Sequence, residues 1–447
     1  MKKTFLGALL FAGTLAFTAC QNETLVYVDE NGNPIENAEL QEGEGILKIT
    51  VSSTDATSRA VRPVGSSAAA NNVSEVKVYA FKEIDGVYKF DNMLSLSNEL
   101  DGVSGGNGIF TVTGLEPVDD HANPSMESHT DQTKILTLKG LSKSTTYKFV
   151  AVGYNGTYPY GTLPAPTGET TLENFIQTTT TKRDYEVEEL FAGVSADCTT
   201  NSDKAAFNGA ASVTITRQVA GMLGYFKNIP TKIGESVVKY VRVYANKEFT
   251  TFKFPAQLLT APDFNGGDAN TTADKEGKFL VMEFDMSAIA TNWNEDTPTG
   301  GTYTFENWTN GKPGESTNAP LAEDYTAPDG LKLVENSIFG GRYLIPYDQH
   351  VGSQTLTVEL QDKDGKALKT LNVVTDHIPS DAEATKNAYD IRCNNFYSIG
   401  KKLDTDSTDG GDPDPEPDEP VDLSGNTDIK VIVNDAWKVL HNMGVEE

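Results

Sequence analysis

The chain of 447 residues has few of the side chains on which catalysis and metal binding depend. It contains five histidines and three cysteines. Neither an H-E-x-x-H pattern nor a Cys/His cluster at metal-ligand spacing occurs in it, and P-loop and dinucleotide-binding glycine patterns are also missing. We therefore expect no enzymatic activity, no metal site and no cofactor.

One five-residue segment, 102–106, formally matches the G-x-S-x-G pattern of a nucleophile elbow. The elbow needs an apolar strand before the serine and a helix after it. Here Asp101 precedes the segment, and Asn107 and Gly108 follow it. We interpret the segment as a loop without a catalytic role.

Basic residues are also scarce relative to acidic ones. The chain has 36 Lys and Arg against 64 Asp and Glu, which gives a net charge of -28. Nucleic acid is thereby excluded as a partner, because its phosphates would be repelled. Hydrophobic residues still make up 38% of the chain, with 17 Tyr and 20 Phe, which is enough to build substantial cores.

The apolar run at the N-terminus, 5–17, is too short to span a membrane. Lys2 and Lys3 precede this run and Thr18-Ala19-Cys20 follows it, which is the pattern of a lipoprotein signal peptide. We expect cleavage after residue 19 and a lipid on Cys20 that holds the protein to a membrane. The remaining cysteines, Cys198 and Cys393, could form a disulfide or remain buried thiols.

Short apolar stretches separated by turns dominate the rest of the chain, and a short helix is predicted only at 172–178. The strongest signal is a hairpin of 76–81 and 87–90 around Asp85-Gly86, because this dipeptide adopts the positive φ angles of a type I′ turn. A second hairpin is predicted from 355–360 and 367–374. Many short strands with this spacing predict an all-β sandwich fold.

Two strands near opposite ends of the chain share the same alternating pattern. In 46–51, Leu47, Ile49 and Val51 lie on one face, and an arginine site, Ser58-Arg59-Ala60, follows. In the last segment the residues on one face are Ile429, Val431, Val433 and Trp437. Period-2 alternation is typical of a strand with one buried face. An acidic Pro-rich linker, 404–427, precedes the second strand and should form an extended arm.

Taken in order, these features resemble the fimbrillins, the major subunits of type V pili. The resemblance includes the signal ending at Cys20, the strand 46–51, the site at Arg59 and the terminal strand with Trp437. Segment 216–222 is similar to the junction between the two domains of that family. Segment 394–397 is similar to a strand near the end of its second domain, although Cys393 interrupts the family's Arg-Asn pair.

The resemblance implies two transthyretin-like β-sandwich domains in tandem. The expected bounds are a signal peptide at 1–19, a lipidated propeptide at 20–59, an N-terminal sandwich at 60–216, a C-terminal sandwich at 217–403, the linker at 404–427 and a donor strand at 428–447.

The resemblance also implies a mechanism. The lipidated precursor is exported to the outer membrane, where an arginine-specific trypsin-like protease cuts between Arg59 and Ala60. Loss of the strand 46–51 opens a groove that accepts the terminal strand of another subunit, so we expect this strand to serve a neighbour's core and not its own. Because the chain has both the cleavage site and the donor, a stalk subunit is predicted. Its expected partners are further copies of itself, anchor and tip pilins, and a host or bacterial surface receptor, and its role is adhesion and biofilm formation.

An alternative is a surface lipoprotein that binds glycans without polymerising. Its long loops contain aromatic side chains that could stack on sugars, namely Trp293, Trp308, Tyr303 and Tyr158. This alternative leaves the terminal strand unexplained.

Overall fold

A computed structural model of the chain describes most of its sheet-forming residues. The described ranges are 27–28, 34–35, 40–51, 73–97, 102–114, 132–176, 179–181, 187–246, 248–249, 251–260, 264, 266, 269–270, 278–305, 336–346, 356–375, 391–400, 402–403, 420–425, 429–434 and 442–443. The chain divides into two compact units, Met1–Leu40 and Gln41–Glu447. In the first unit, β1 (Tyr27–Val28) and β2 (Pro34–Ile35) form an antiparallel pair.

The first large sheet of the second unit, here called the N-terminal sheet, contains eleven of the described strands. In chain order, the described strands from residue 44 to residue 217 are β3 (Glu44–Val51), β4 (Glu75–Ile84), β5 (Val87–Phe90), β6 (Ser95–Leu96), β7 (Val103–Gly106), β8 (Ile109–Thr113), β9 (Gln132–Lys139), β10 (Thr146–Tyr154), β11 (Thr179–Thr181), β12 (Phe191–Val194), β13 (Cys198–Thr199) and β14 (Ala211–Arg217). A short helix, α1 (Leu172–Ile176), lies between β10 and β11, where sequence predicts one. Strand β11 belongs to a separate small sheet.

The order of strands in the N-terminal sheet is β6-β9-β3-β14-β12-β10-β4-β8-β7, with β5 beside β4 and β13 beside β10. Side chains from β3, β9 and β14 share one buried cluster with side chains from β4, β8 and β10. The two halves of this path therefore cover a common core, as in a sandwich.

The second large sheet, here called the C-terminal sheet, contains nine of the described strands. The remaining strands of the chain are β15 (Ala220–Lys227), β16 (Lys232–Ile233), β17 (Ser236–Val237), β18 (Tyr240–Ala245), β19 (Glu248–Phe249), β20 (Thr251–Lys253), β21 (Ala269–Asn270), β22 (Phe279–Asp285), β23 (Ser337–Leu344), β24 (Leu356–Gln361), β25 (Ala367–Thr375), β26 (Phe396–Ile399), β27 (Lys402–Leu403), β28 (Val421–Asp422), β29 (Ile429–Asn434) and β30 (Asn442–Met443). A 3₁₀ helix (Ala256–Leu258) and α2 (Met286–Ile289) complete the described elements.

The order in the C-terminal sheet is β22-β18-β24-β25-β29-β26-β15-β23, with β28 beside β15. Its inward residues belong to a second buried cluster, which also includes Val150 and Val152 from β10 of the N-terminal sheet. Alternate residues of β10, such as Phe149, belong to the first cluster. Strand β10 therefore buries both of its faces and connects the two cores.

The structure confirms the predicted all-β fold class. Both predicted hairpins are present, as β4–β5 and β24–β25, and Asp85 and Gly86 have φ angles of 52° and 77°. The loop expected at 102–106 is instead the edge strand β7, paired with β8. Gly102 and Gly105 have positive φ angles there, which let the chain enter and pass along this edge.

Candidate functional site: two inner strands and their slots

The N-terminal slot is the space between β9 and β14 that β3 fills. Strand β3 is antiparallel to β9, with all eight residues in register from Glu44↔Lys139 to Val51↔Gln132. It is parallel to β14 at five positions, of which the central one is Ile49↔Val213. The predicted removable strand is therefore an inner strand with one antiparallel and one parallel neighbour.

The side chains predicted for one face of this strand lie in the core. Leu47 and Ile49 are 0% exposed and Val51 is 2% exposed. The walls of the slot are equally apolar and buried, and they are formed by Leu136, Leu138, Val213 and Ile215. Burial of three such side chains is worth roughly 5–9 kcal/mol before ordering costs.

The C-terminal slot is the space between β25 and β26 that β29 fills. Strand β29 is antiparallel to β26 at four positions and parallel to β25 at three. Ile429, Val431 and Val433, the residues predicted for one face of the donor, are paired in register with Val373, Ile399 and Tyr397. All three of these partners are buried.

This placement corrects one expectation from the sequence. The terminal strand was expected to serve a neighbour's core and not its own. In the single chain it completes the C-terminal sheet instead. Like the N-terminal sheet around β3, the C-terminal sheet has a position between a parallel strand, β25, and an antiparallel strand, β26, and β29 occupies it. Sequence alternation predicts a strand with a buried face but does not specify the sheet that contains it.

A short clasp, residues 421–424, holds the chain immediately before β29. Strand β28 pairs in parallel with the end of β15, and Leu423 is fully buried. The Lys369 ammonium group donates to the Leu423 carbonyl over 2.6 Å. The amide of Asn228 donates to the Asp422 carboxylate over 2.7 Å. Although partial burial alone would raise the pKa of Asp422, hydrogen bonds from Ser424 and Asn228 lower it overall.

The clasp also corrects the predicted linker. Within the linker 404–427, the acidic segment 404–422 was expected to be an extended arm, but its end, Val421 and Asp422, pairs with β15, and Leu423 after it is buried. A buried leucine and a strand pair hold them there, since Leu423 is apolar enough to outweigh the acidic composition around it. The acidic Pro-rich stretch before residue 420 lies outside the described residues.

Segment 216–222, which resembles the family's domain junction, contacts segment 394–397, which resembles a strand near the end of its second domain. The buried Arg217 guanidinium donates to Glu189 Oε1 over 2.7 Å and to Asn394 Oδ1 over 3.2 Å. The backbone of Asn394 donates to the carbonyl of Val219, and Gly221 donates to that of Asn395. Arg217 thus ties the end of the N-terminal sheet to the turn that precedes β26 of the C-terminal sheet. Loss of Arg217 or of Glu189 would leave the other's buried charge uncompensated.

Sequence reasoning missed Glu189, which neutralises Arg217 at the junction. Glu189 lies in an ordinary acidic context, and only its position shortly before the apolar strand β12 distinguishes it from other carboxylates. The clasp was also missed. Its signal is a pair of apolar residues, Val421 and Leu423, at the end of an acidic segment.

Several predicted residues lie outside the described ones. These are the lipidation site Cys20, the cleavage site Arg59 and Ala60, and Trp437 of the donor strand. Cys198 and Cys393, for which pairing was left open, are both free thiols. Within the described ranges, no group of His, Cys, Asp and Glu is arranged to hold a metal ion, and no helix is long and apolar enough to cross a membrane.

The aromatic residues of the glycan-binding alternative do not form an exposed platform in the described part of the chain. Tyr303 is 0% exposed, and its hydroxyl donates to the Val238 carbonyl over 2.7 Å. Tyr158 is 9% exposed and packs between Tyr154 and Tyr160. Trp293 packs against the core beside Tyr303, and Trp308 lies outside the described residues. Tyr303 and Tyr158 are therefore core residues and not sugar-stacking surfaces.

Comparison with known proteins gives structural matches only. No family model matches the chain, and no curated protein matches it. A protein of Bacteroides eggerthii described as a candidate cell adhesion protein matches with a TM-score of 0.41 and 12% identity, covering 88% of this chain and 95% of its own. A fimbrial assembly protein of Parabacteroides distasonis matches with a TM-score of 0.32 and 9% identity, covering 80% and 91%.

A fimbrial anchor protein of Porphyromonas gingivalis also matches, with a TM-score of 0.32 and 13% identity, covering 79% of this chain and 89% of its own. These matched structures are described as a cell adhesion protein, a fimbrial assembly protein and a fimbrial anchor protein.

Proposed function

We propose that the chain is a structural stalk subunit of a cell-surface fibre of the type V pilus kind, and that it polymerises by strand exchange. The observation that carries this proposal is the position of β3, which is an inner strand flanked by β9 and β14. Removal of an inner strand leaves two unpaired edges facing one apolar groove, and such a groove is a template for another strand. No enzymatic activity is part of the proposal.

Proteolysis explains why assembly is delayed until the protein reaches the surface. While β3 is part of the chain, it re-enters its slot as an intramolecular partner, at an effective concentration of roughly millimolar. Cleavage between Arg59 and Ala60 turns residues 20–59 into a separate peptide that can diffuse away. The vacated slot then becomes accessible to the strand of another subunit.

Cleavage leaves each subunit with more slots than strands, so that one slot is free to accept a strand from another subunit. The uncut chain has two slots and two strands, because β3 fills one slot and β29 the other. After cleavage each subunit has two slots and a single strand. If β29 binds more strongly in a neighbour's N-terminal slot than in its own C-terminal slot, a linear polymer forms with one exchanged strand per subunit.

The remaining features of the proposal come from the sequence. Lipid on Cys20 would hold the precursor at the outer membrane until an arginine-specific trypsin-like protease releases it. Anchor and tip pilins would end the fibre, whose role would be adhesion to a host or bacterial surface receptor and biofilm formation.

Substitution of the cleavage site tests the proposal. Cells that produce Arg59→Ala should retain uncut, lipidated monomer, because the tethered β3 keeps its slot filled. Arg62→Ala is the matched control and should polymerise normally, since Pro63 hinders cleavage after Arg62 by trypsin-like proteases. Polymer content is read as a ladder on gels of unboiled samples. Normal ladders from uncut Arg59→Ala protein would refute the proposal.

A further inference from the structure

Three large apolar side chains are exposed in the part of the chain that the structure describes. Ile84 is 42% exposed, Val87 is 44% exposed and Met93 is 72% exposed. All three lie within ten residues of each other in the sequence, on β4, on β5 and in the loop after β5. Isolated exposed apolar residues are ordinary, but a local concentration at one end of a domain is typical of an interaction surface.

The first two residues form the tip of a hairpin that extends beyond its sheet. Ile84 and Val87 are paired across the Asp85-Gly86 turn. The neighbouring strand β10 pairs with β4 only as far as Lys82, two residues before the tip. The tip thus extends about 7 Å past the paired sheet.

A polar cluster holds the base of the hairpin in place. The Tyr88 hydroxyl donates to the Asp197 carboxylate over 2.8 Å. Lys148 forms an ion pair with Asp197 at 3.2 Å and lies over the Tyr88 ring at 4.9 Å. Burial, followed by the hydrogen bond to Asp197, raises the pKa of Tyr88, so the hydroxyl stays protonated and continues to donate. The hairpin is therefore presented in a fixed orientation, which lowers the cost of ordering it on binding.

Met93 lies beside the mouth of the N-terminal slot, the end at which β3 begins. A Cβ atom on Gly140 would lie 3.0 Å from the Met93 carbonyl oxygen. Gly140 follows directly after Lys139, which is paired with Glu44, the first residue of β3. The hairpin is at the same end of the sheet, because Lys82 is paired with Tyr147, whose hydroxyl accepts from the Ser142 amide.

The strand directions determine which part of a partner reaches this end. Strand β3 is parallel to β14 and antiparallel to β9, and β29 also has one parallel and one antiparallel neighbour in its own sheet. A second copy's β29 that reproduces this pairing must enter with Ile429 at the Glu44 end. Five peptide steps separate Ile429 from Ser424 of the clasp, and they span at most about 18 Å. The partner's clasp and the adjacent end of its C-terminal sheet are thus held within about 18 Å of the inserted Ile429, at the end of the N-terminal sheet that carries the hairpin.

We propose that Ile84, Val87 and Met93 form a docking contact for the C-terminal-sheet end of a second copy of this chain, separate from the inserted strand. This inference rests on the proposed function. The contact would align the incoming subunit before its strand enters the slot, and afterwards would limit rotation between adjacent subunits. Apolar residues suit this role, because the acidic chains otherwise repel each other.

A charge-neutral double substitution tests the docking contact. Ile84→Glu with Val87→Lys removes both apolar side chains and leaves an opposite-charge pair across the hairpin, which maintains its pairing. The matched control is Asn155→Glu with Thr157→Lys, at exposed positions beyond Tyr154 at the opposite end of β10. The full chains are cut with an arginine-specific protease, and polymer growth is followed by light scattering. A synthetic peptide of residues 427–447 is titrated in parallel against each cut subunit.

We expect polymer growth of the hairpin variant to fall about tenfold, while the control grows like the parent. Peptide affinity should be unchanged in both, because the slot is intact. Parental growth of the hairpin variant would overturn the docking contact alone. An equal loss of peptide affinity would also overturn it, because the hairpin would then shape the slot. Absence of growth in the cut parent chain would refute the proposed function and this inference with it.

Discussion

The two slots differ in the length of strand that each one holds. The N-terminal slot holds the eight residues of β3, paired at eight positions with β9 and at five with β14. The C-terminal slot holds the six residues of β29, paired at four positions with β26 and at three with β25. Both slots offer one antiparallel and one parallel edge, which is the match that the proposed strand exchange requires.

This difference indicates where β29 is more stable. In an empty N-terminal slot its six residues could pair along their whole length with β9, whereas in its own sheet only four pair with β26. Each additional backbone hydrogen bond contributes roughly 0.5–1.5 kcal/mol net. On the proposed mechanism, the shorter pairing of β29 in its own sheet would hold the strand in the monomer and would still allow its transfer once β3 has been removed.

The largest expected effect comes from a charge in the strand that cleavage removes. Ile49→Asp places a carboxylate in the core of the N-terminal slot and should lower the unfolding free energy of the uncut precursor by about 3–5 kcal/mol. Lys48→Asp, on the other face, is the control and should change it little. Urea denaturation measures both.

Cleavage should abolish this effect, because the altered residue leaves with the propeptide. The cut Ile49→Asp subunit should then unfold and polymerise like the cut parent. A destabilisation that persists after the propeptide has dissociated would mean that β3 remains part of the mature fold.

A charge in the terminal strand should have a somewhat smaller effect. Val431 is paired with buried Ile399 in the C-terminal slot, and on the proposed mechanism it would enter the apolar groove of a neighbour's N-terminal slot. Val431→Asp should therefore weaken strand insertion by at least about 2 kcal/mol, or roughly 30-fold. Lys430→Asp, one residue away on the opposite face, should polymerise almost normally. Titration of cut subunits with the corresponding 427–447 peptides compares the two, and equal affinities would contradict the assigned face.

Sequence alternation predicted one buried face of β3, with Leu47, Ile49 and Val51, because a period of two residues fixes a face of a strand. It did not predict that Ile46 and Thr50 on the other face are buried as well. It also predicted the β4–β5 turn, where Asp85 and Gly86 accept positive φ angles. The position of β29 in its own chain's sheet could not be predicted from the sequence. Its pairing with β25 joins Ile429 to Val373, more than fifty positions away, and depends on how the whole sheet assembles. The ion pair between Arg217 and Glu189 could not be predicted either, because the sequence of an acidic chain does not distinguish one carboxylate from another.

The smallest expected effect concerns the clasp that limits the movement of β29. The pKa of Asp422 is below its ordinary value of 3.8 in the folded chain, so this carboxylate stabilises the clasp above that value. The contribution is lost as the pH falls through the lowered pKa, because the protonated group accepts weaker hydrogen bonds. Amide hydrogen exchange of residues 421–424 should therefore quicken relative to Asp422→Asn as the pH falls below about 4. A constant ratio between the two proteins would exclude this role for Asp422.

The central claim is that the slot vacated by β3 is filled by the terminal strand of another copy. If Ile429, Val431 and Val433 replace Leu47, Ile49 and Val51, then Lys430 takes the place of Lys48. Lys48 is paired with Ser212, an exposed residue of β14. In its own sheet, by contrast, Lys430 is paired with Val374 of β25.

Disulfide trapping tests this claim most directly. Lys430→Cys and Ser212→Cys are combined in a chain that also carries Cys198→Ser and Cys393→Ser, and the protein is oxidised before and after cleavage. The account predicts a disulfide between residues 430 and 212 of different copies, seen as a ladder on non-reducing gels only after cleavage. A control chain carries Val374→Cys in place of Ser212→Cys, so that a disulfide between residues 430 and 374 reports β29 in its own sheet. If the 430–212 disulfide does not form after cleavage while the control chain still forms the 430–374 disulfide, the strand stays in its own sheet, and the account is contradicted.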